Sequence, residues 1–312
     1  MEPVLSDPVL QFRPDTVRAV RAMYGLDGPG RMAEAVRILG DWVQMQPHFK
    51  KKDFSKRYLE ATIIACKGSV ERAKSKLNQY SVSTISPRFL GFLRSVSRLD
   101  AFILICVYSE IAILPKMTGD YHRVLMTVLH NHPPVTEEFI ADVYRYILEY
   151  LKAQDYCNGL LIVLDYTDIN LMEVIPKVNL TILAQWFKLC TEGFGMRIQS
   201  INIISTSKMV DVMVSIFKKV LSAKIGDRIR VLDSVERLSE VLDRKVLPKE
   251  FGGEDCPKPL TPELVEAISS KENVEYLKMM SGATTDEAYR LSDDVTDEAM
   301  GIAGTFRTLS VD

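Results

Sequence analysis

Three arrangements in this 312-residue sequence bring chemically competent side chains to a useful spacing. Gly159-Leu-Leu-Ile-Val-Leu-Asp165 ends an apolar run on a carboxylate, the pattern that holds magnesium in P-loop nucleotide hydrolases. That chemistry also needs a glycine-rich loop closing on Lys-Ser/Thr to cradle phosphates. The candidate loop, Gly25 to Arg31, has neither residue and follows no strand, so nucleotide hydrolysis is not expected. His130 and His132 would share one face of a strand, a geometry open to zinc. The other two histidines, His48 and His122, stand in no ligand spacing, so no metal or cofactor is expected. The five cysteines, Cys66, Cys106, Cys157, Cys190 and Cys256, are odd in number and widely spaced. They read as neither a disulfide framework nor a CxxC metal site. No Gly-x-Ser-x-Gly elbow occurs, and no cysteine has a histidine to orient it. The chain is therefore expected to bind rather than to catalyse.

The third arrangement lies on a helix spanning 208–222. Met209, Met213, Ile216, Phe217 and Val220 fall at helical spacing and line one face. Lys208, Lys218, Lys219 and Ser222 lie largely off it, and Lys224, Arg228 and Arg230 follow. Two readings fit. One is an ordinary crossover helix with a solvated basic face. The other is a movable lid, with flexible Met and Phe against an apolar ligand and lysines toward anionic headgroups.

Charge is spread unevenly around these residues. Net charge is −2, which marks no nucleic-acid binder. Residues 250–312 carry 14 acidic and 5 basic side chains, while the first hundred carry 17 basic and 10 acidic. Either the two ends attract one another, or a basic face meets an anionic surface. The longest apolar run, Ala101 to Tyr108, is far short of a membrane span of ~18 residues. The N-terminus shows no basic-then-apolar signal pattern, so a cytosolic protein is expected.

The elements that must position these residues change character along the chain. The first hundred residues read as helices. One follows Pro14 with Asp15 as cap, one runs from Met32 to Gln46, one starts near Asp53 and one covers Val70 to Gln79. After Asp100, strand patterns at 123–129, 159–166, 197–204 and 228–232 alternate with helices at 135–152, 180–190 and 208–222. Thr136 is the expected cap of the first of these helices. Such alternation predicts βαβ crossovers and a mostly parallel sheet. Pro262 to Met280 is helical, within an acidic tail.

Four stretches then occur in the order of a known family. Leu247-Pro-Lys-Glu-Phe-Gly-Gly-Glu254 resembles the Leu-Pro-x-Glu-Tyr/Phe-Gly-Gly closing the CRAL-TRIO lipid-binding domain. Trp42-Val-Gln-Met-Gln-Pro-His48 and Cys66-Lys-Gly-Ser-Val-Glu-Arg-Ala-Lys74 resemble motifs of its first domain. Phe194-Gly-Met-Arg197 is similar to its Phe-Pro-x-Lys/Arg before a strand and gate helix. Gly304-Thr-Phe-Arg-Thr-Leu309 also resembles the tail of transfer-protein members. The likeness extends over nearly the whole chain and points to the tocopherol-transfer and retinaldehyde-binding branch. Here Gly68 replaces an aromatic residue, Gly195 replaces a proline, and Thr62 to Cys66 lacks the branch's arginine.

The resemblance implies an α/β fold. A helical domain over 1–95 precedes a CRAL-TRIO domain over 96–255 and a helical acidic tail over 256–312. A mostly parallel five-stranded sheet would floor an apolar pocket gated by helix 208–222. It implies a cytosolic carrier that takes one hydrophobic small molecule or lipid and exchanges it, by transient peripheral contact, at phosphoinositide-containing membranes. Met126, Val128, Ile162, Leu164, Ile201, Ile203, Met209, Met213, Ile216 and Phe217 are the expected ligand contacts. Arg197, Lys218, Lys224 and Arg228 are the expected headgroup contacts. A phosphoinositide sensor or scaffold without cargo is the alternative; an enzyme acting on a lipid would need a polar pair in the pocket that the sequence does not offer.

Overall fold

The computed structural model describes residues 6–83, 109–129, 137–188, 190–191, 194–254, 260–280 and 282–290. Four helices come first: α1 (Thr16–Ala22), α2 (Arg31–Met45), α3 (Lys56–Ala65) and α4 (Val70–Ser83). Asp15 stands at the N-cap of α1, but its carboxylate accepts the Tyr121 hydroxyl at 2.7 Å instead of capping the helix. For α3 the cap is Ser55, whose side chain accepts from Tyr58 N, so the helix starts after the expected Asp53. α2, α3 and α4 pack on one another around Val36, Leu39, Val43, Leu59, Ile63, Ala73 and Leu77.

The second part alternates strand and helix: β1 (Ser109–Ile113), β2 (Arg123–Leu129), α5 (Glu137–Gln154), β3 (Leu160–Asp165), α6 (Leu171–Val174), α7 (Leu180–Lys188), β4 (Ile198–Ile204), α8 (Val210–Val220), α9 (Ala223–Gly226) and β5 (Ile229–Leu232). The sheet runs in chain order from β1 to β5. β1 is antiparallel to β2 and the other three pairings are parallel. Right-handed crossovers that always step the same way place their helices on one face of a sheet. α5 accordingly packs on Leu125 and Leu160, while α7 and α8 pack on Ile162, Ile201 and Ile203. The opposite face, with Val124, Met126, Val163 and Ile204, is covered by Leu238, Leu242, Val246 and Leu247 from the segment after β5.

That segment ends in Leu247-Pro-Lys-Glu-Phe-Gly-Gly. A single 3-10 turn, Lys249–Phe251, ends on Gly252 at φ 73°, a left-handed conformation that favours glycine. At Gly253 a Cβ would lie 1.8 Å from the Leu247 carbonyl oxygen, so only glycine fits. The C-terminal stretch forms two helices, α10 (Leu260–Ser269) and α11 (Lys271–Met280), interrupted at Ser270 within the single helix expected over 262–280. α10 packs on β1 and α5, burying Leu264, Ala267 and Ile268 in the same core as the N-terminal helices. No described helix is long and apolar enough to cross a membrane.

Candidate functional site

Two features stand out, an apolar seam under α8 and a cluster of cations beside it. The seam joins Ile162, Ile201 and Ile203 of the sheet to Val210, Met213 and Phe217 of α8, to Leu221 just after it and to Phe187 of α7. The Phe187 and Phe217 rings meet edge to face, 6.2 Å between centroids. Leu164 and Met209 are partly buried against the same group, whereas Ile216 is half-buried and stands outside it.

Two expected contacts lie on the wrong face. Register pairs Leu125 with Ile162 and Thr127 with Leu164, and paired residues share a face. Met126 and Val128 pair with Val163 and Asp165 and pack with the group on the far side. The β2 assignment is thus one residue out of step. In a strand that alternation does not mark, sequence offers nothing to set it.

The cations come from both parts of the chain. Lys67 follows α3 at φ 56° and Gly68 follows it at φ 79°, so the chain turns sharply there. Arg197 and then Lys224 press the exposed Lys67 ammonium below its ordinary value, and Arg72 and Arg228 add to the effect. Five like charges therefore share one region. Among the described residues none of the five forms a salt bridge. Lys224 lies in α9 and Arg228 just after it, where its guanidinium donates to the Ile198 carbonyl. Lys218 sits on the last turn of α8 with its stem against Gly226, beside the turn that carries Lys224. The sequence pointed to Arg197, Lys218, Lys224 and Arg228; it did not single out Lys67 or Arg72.

Arg197 is the most constrained of the group. Its Nη1 donates to the Tyr24 hydroxyl and to Asn158 Oδ1 at 2.7 Å. Its carbonyl accepts from Leu160 N at 2.7 Å, and Gly159 approaches so closely that a Cβ there would meet this oxygen at 2.7 Å. Gly195, two residues earlier, has φ 66°, which proline cannot adopt, so the turn into β4 differs here from a Phe-Pro pattern.

Next to Arg197 a cavity of about 50 Å³ opens between α3 and the entry to β3, lined in part by Ile64, Leu151, Lys152 and Cys157. Lys152 donates to the Phe194 carbonyl at 3.3 Å and sits 4.5 Å from the Tyr58 ring centroid. Burial lowers its ammonium to about 8. Burial also pushes the Cys157 thiol up, so it is no ready nucleophile.

Among the remaining chemical candidates, Asp165 has a structural partner. Asp165 accepts from the backbone and hydroxyl of Thr167 at 2.9 and 2.5 Å, closing the turn after β3. His130, His132, Thr136, Cys106 and Cys256 lie outside the described residues. Among the described residues no three metal-binding side chains come together.

Residues 109–253 match the model of the CRAL/TRIO domain. The chain is also similar to the crystal structure of Sfh5, at 12% identity and a TM-score of 0.42, covering 86% of this chain and 98% of that one. No curated protein matches the chain.

Proposed function

We propose that this chain binds one hydrophobic small molecule or lipid between the sheet and α8, and exchanges it at phosphoinositide-containing membranes. The observation that carries the reading is the seam, lined almost wholly by apolar side chains and lying within the segment that matches the CRAL/TRIO domain. An apolar ligand in water costs roughly 25 cal/mol per Å² of exposed apolar surface, and a closed seam removes that cost. α8 must part from the strands to admit it, and Met213 and Phe217 adapt to the ligand as they part. The Trp42–His48 and Cys66–Lys74 motifs, outside the matched segment, support membership of the tocopherol-transfer branch.

Membrane contact follows from the cations. Lys218, Lys219, Lys224 and Arg228 each favour an anionic leaflet by about 1 kcal/mol near its surface, less at higher salt. Lys67, the lysine of the Cys-Lys motif itself, stands among these cations, so a phosphorylated headgroup would bridge the N-terminal helices and the sheet. Closed in water and open on the membrane are then two populations, shifted by differential binding. The setting is the cytoplasm, with peripheral and transient membrane association.

Native mass spectrometry of protein purified from its own cells tests the cargo: a co-purified hydrophobic mass supports the carrier, and protein alone overturns it. One observation favours a headgroup sensor without cargo, namely that protein side chains already fill the seam. The headgroup arm has its own test. Lys224→Ala with Arg228→Ala is expected to weaken binding to phosphatidylinositol bisphosphate vesicles several-fold and to flatten its salt dependence. Uptake of a fluorescent isoprenoid from detergent is expected to stay unchanged.

A further inference from the structure

Tyr24 stands where the two halves of the cation cluster meet. It lies just beyond α1, and its backbone and Cβ press on Gly68, where an added Cβ would come within 3.1 Å of Tyr24 Cβ. The residue before that glycine is Lys67. On its other side the Tyr24 hydroxyl accepts from Arg197 Nη1 and donates to Asn158 Oδ1, which accepts from the same Nη1. Tyrosine, asparagine and guanidinium thus close a ring of three hydrogen bonds, and the Arg197 carbon lies 5.7 Å from the Tyr24 ring centroid.

An Nη1 carries two protons, and this ring uses both. Arg197 makes no other side-chain hydrogen bond among the described residues, so Nη2 and Nε remain for a ligand. Two parallel N–H donors suit a phosphate, which a guanidinium binds bidentately only when its plane is fixed. We propose that Tyr24 and Asn158 are positioning residues for Arg197. They fix the guanidinium plane and its spacing from Lys67, so that one phosphomonoester bridges the N-terminal turn and the sheet. The inference rests on the anionic-headgroup reading above and adds a part that the cations do not contain. An Arg197 without its ring keeps its charge but loses its aim.

Calorimetry of the full chain with soluble inositol trisphosphate, and with phosphatidylcholine vesicles with and without phosphatidylinositol bisphosphate, tests this. Tyr24→Phe removes one hydroxyl and leaves the ring on Gly68. It is expected to weaken trisphosphate and vesicle binding alike, about three- to tenfold, the net worth of one ordinary hydrogen bond. Asn158→Ala changes no residue of the N-terminal half and is expected to do the same; it serves if Tyr24→Phe unfolds. In an Arg197→Ala background neither change should cost more, because both act through that guanidinium. Equal binding by wild type and both variants overturns the inference and leaves the headgroup site standing. A loss that persists in the Arg197→Ala background, or one confined to vesicles, also overturns it. A wild-type chain that binds neither probe removes the site and the inference together.

Discussion

Arg123 opens β2 fully buried, with every guanidinium proton placed. Nε and Nη2 donate to Asp155 at 2.9 Å each, Nη1 reaches the Leu114 and Pro115 carbonyls, and Nη2 also reaches Gln11 O. One side chain therefore ties the entry of the sheet to the N-terminal segment and to the end of α5. A buried pair need add little net stability, but removing one partner leaves a desolvated charge. Arg123→Met is expected to cost about 3–5 kcal/mol in chemical denaturation, and adding Asp155→Leu should recover part of it. No sequence pattern announced this arginine, because the strand it begins reads as a plain apolar run. The same holds at the cation cluster. Resemblance singled out Arg197, Lys224 and Arg228, each next to a legible strand or helix. Lys67 and Tyr24 join them only because Lys67 and Gly68 both adopt positive φ, and in the sequence only the glycine hints at such a turn.

At the level of elements, strands β2 to β5 and helices α2, α4, α7 and α8 lie where periodicity places them, to within a few residues. β1 escaped that reading, being a five-residue edge strand that carries Glu110. Faces are less legible in the sequence than elements. β2 is buried on both sides, so its sequence does not alternate, and its orientation follows from pairing with β3. α8 was legible because one of its faces is basic. Its seam forms a packed group distinct from the core of the N-terminal helices and from the far face of the sheet. Phe217→Asp puts a carboxylate where only apolar neighbours wait, and an unpaired buried charge is not tolerated. α8 should therefore swing away from the strands while the other two groups hold. The expected result is near-native far-ultraviolet circular dichroism with loss of hydrophobic probe retention. Global unfolding would show instead that α8 is an ordinary core helix.

Across the whole molecule, the chain closes on itself, with its C-terminal stretch returning to the N-terminal helices. The sequence shows an acidic end and a basic end, and attraction between them would be the simplest account. The contacts are of another kind. Lys50 N donates to Thr284 O at 2.9 Å and Asp286 N to His48 O at 2.8 Å, a strand-like clasp centred on the Phe49–Thr285 bridge. Arg290 Nη1 reaches Asn78 Oδ1 at 2.5 Å and His48 Nε2 at 3.1 Å. Backbone pairing of this sort has no charge pattern to betray it, which is why the sequence did not show it. Charge enters by fixing Arg290, which Glu287 holds through Nε at 2.5 Å and Nη2 at 2.8 Å. That arginine lowers the Glu287 carboxyl from 4.5 to about 2, with Thr285 and His48 adding to the shift. A carboxyl lowered on folding contributes stability that is fully present above its unfolded value. The contribution is lost as pH falls from about 4.5 toward 2. Glu287 is half exposed, so the effect on global stability is small. The local effect is sharper, because a protonated Glu287 frees Arg290 from its orientation toward Asn78 and His48. Protection against hydrogen exchange at the Lys50 and Asp286 amides, taken relative to the intrinsic rate at each pH, should fall through that pH window, ahead of the sheet. Glu287→Gln should show the lower protection, and so the faster exchange, already at neutral pH, with little further change in protection on acidification. Slow exchange in the variant at neutral pH would mean that the backbone pairing holds without the arginine.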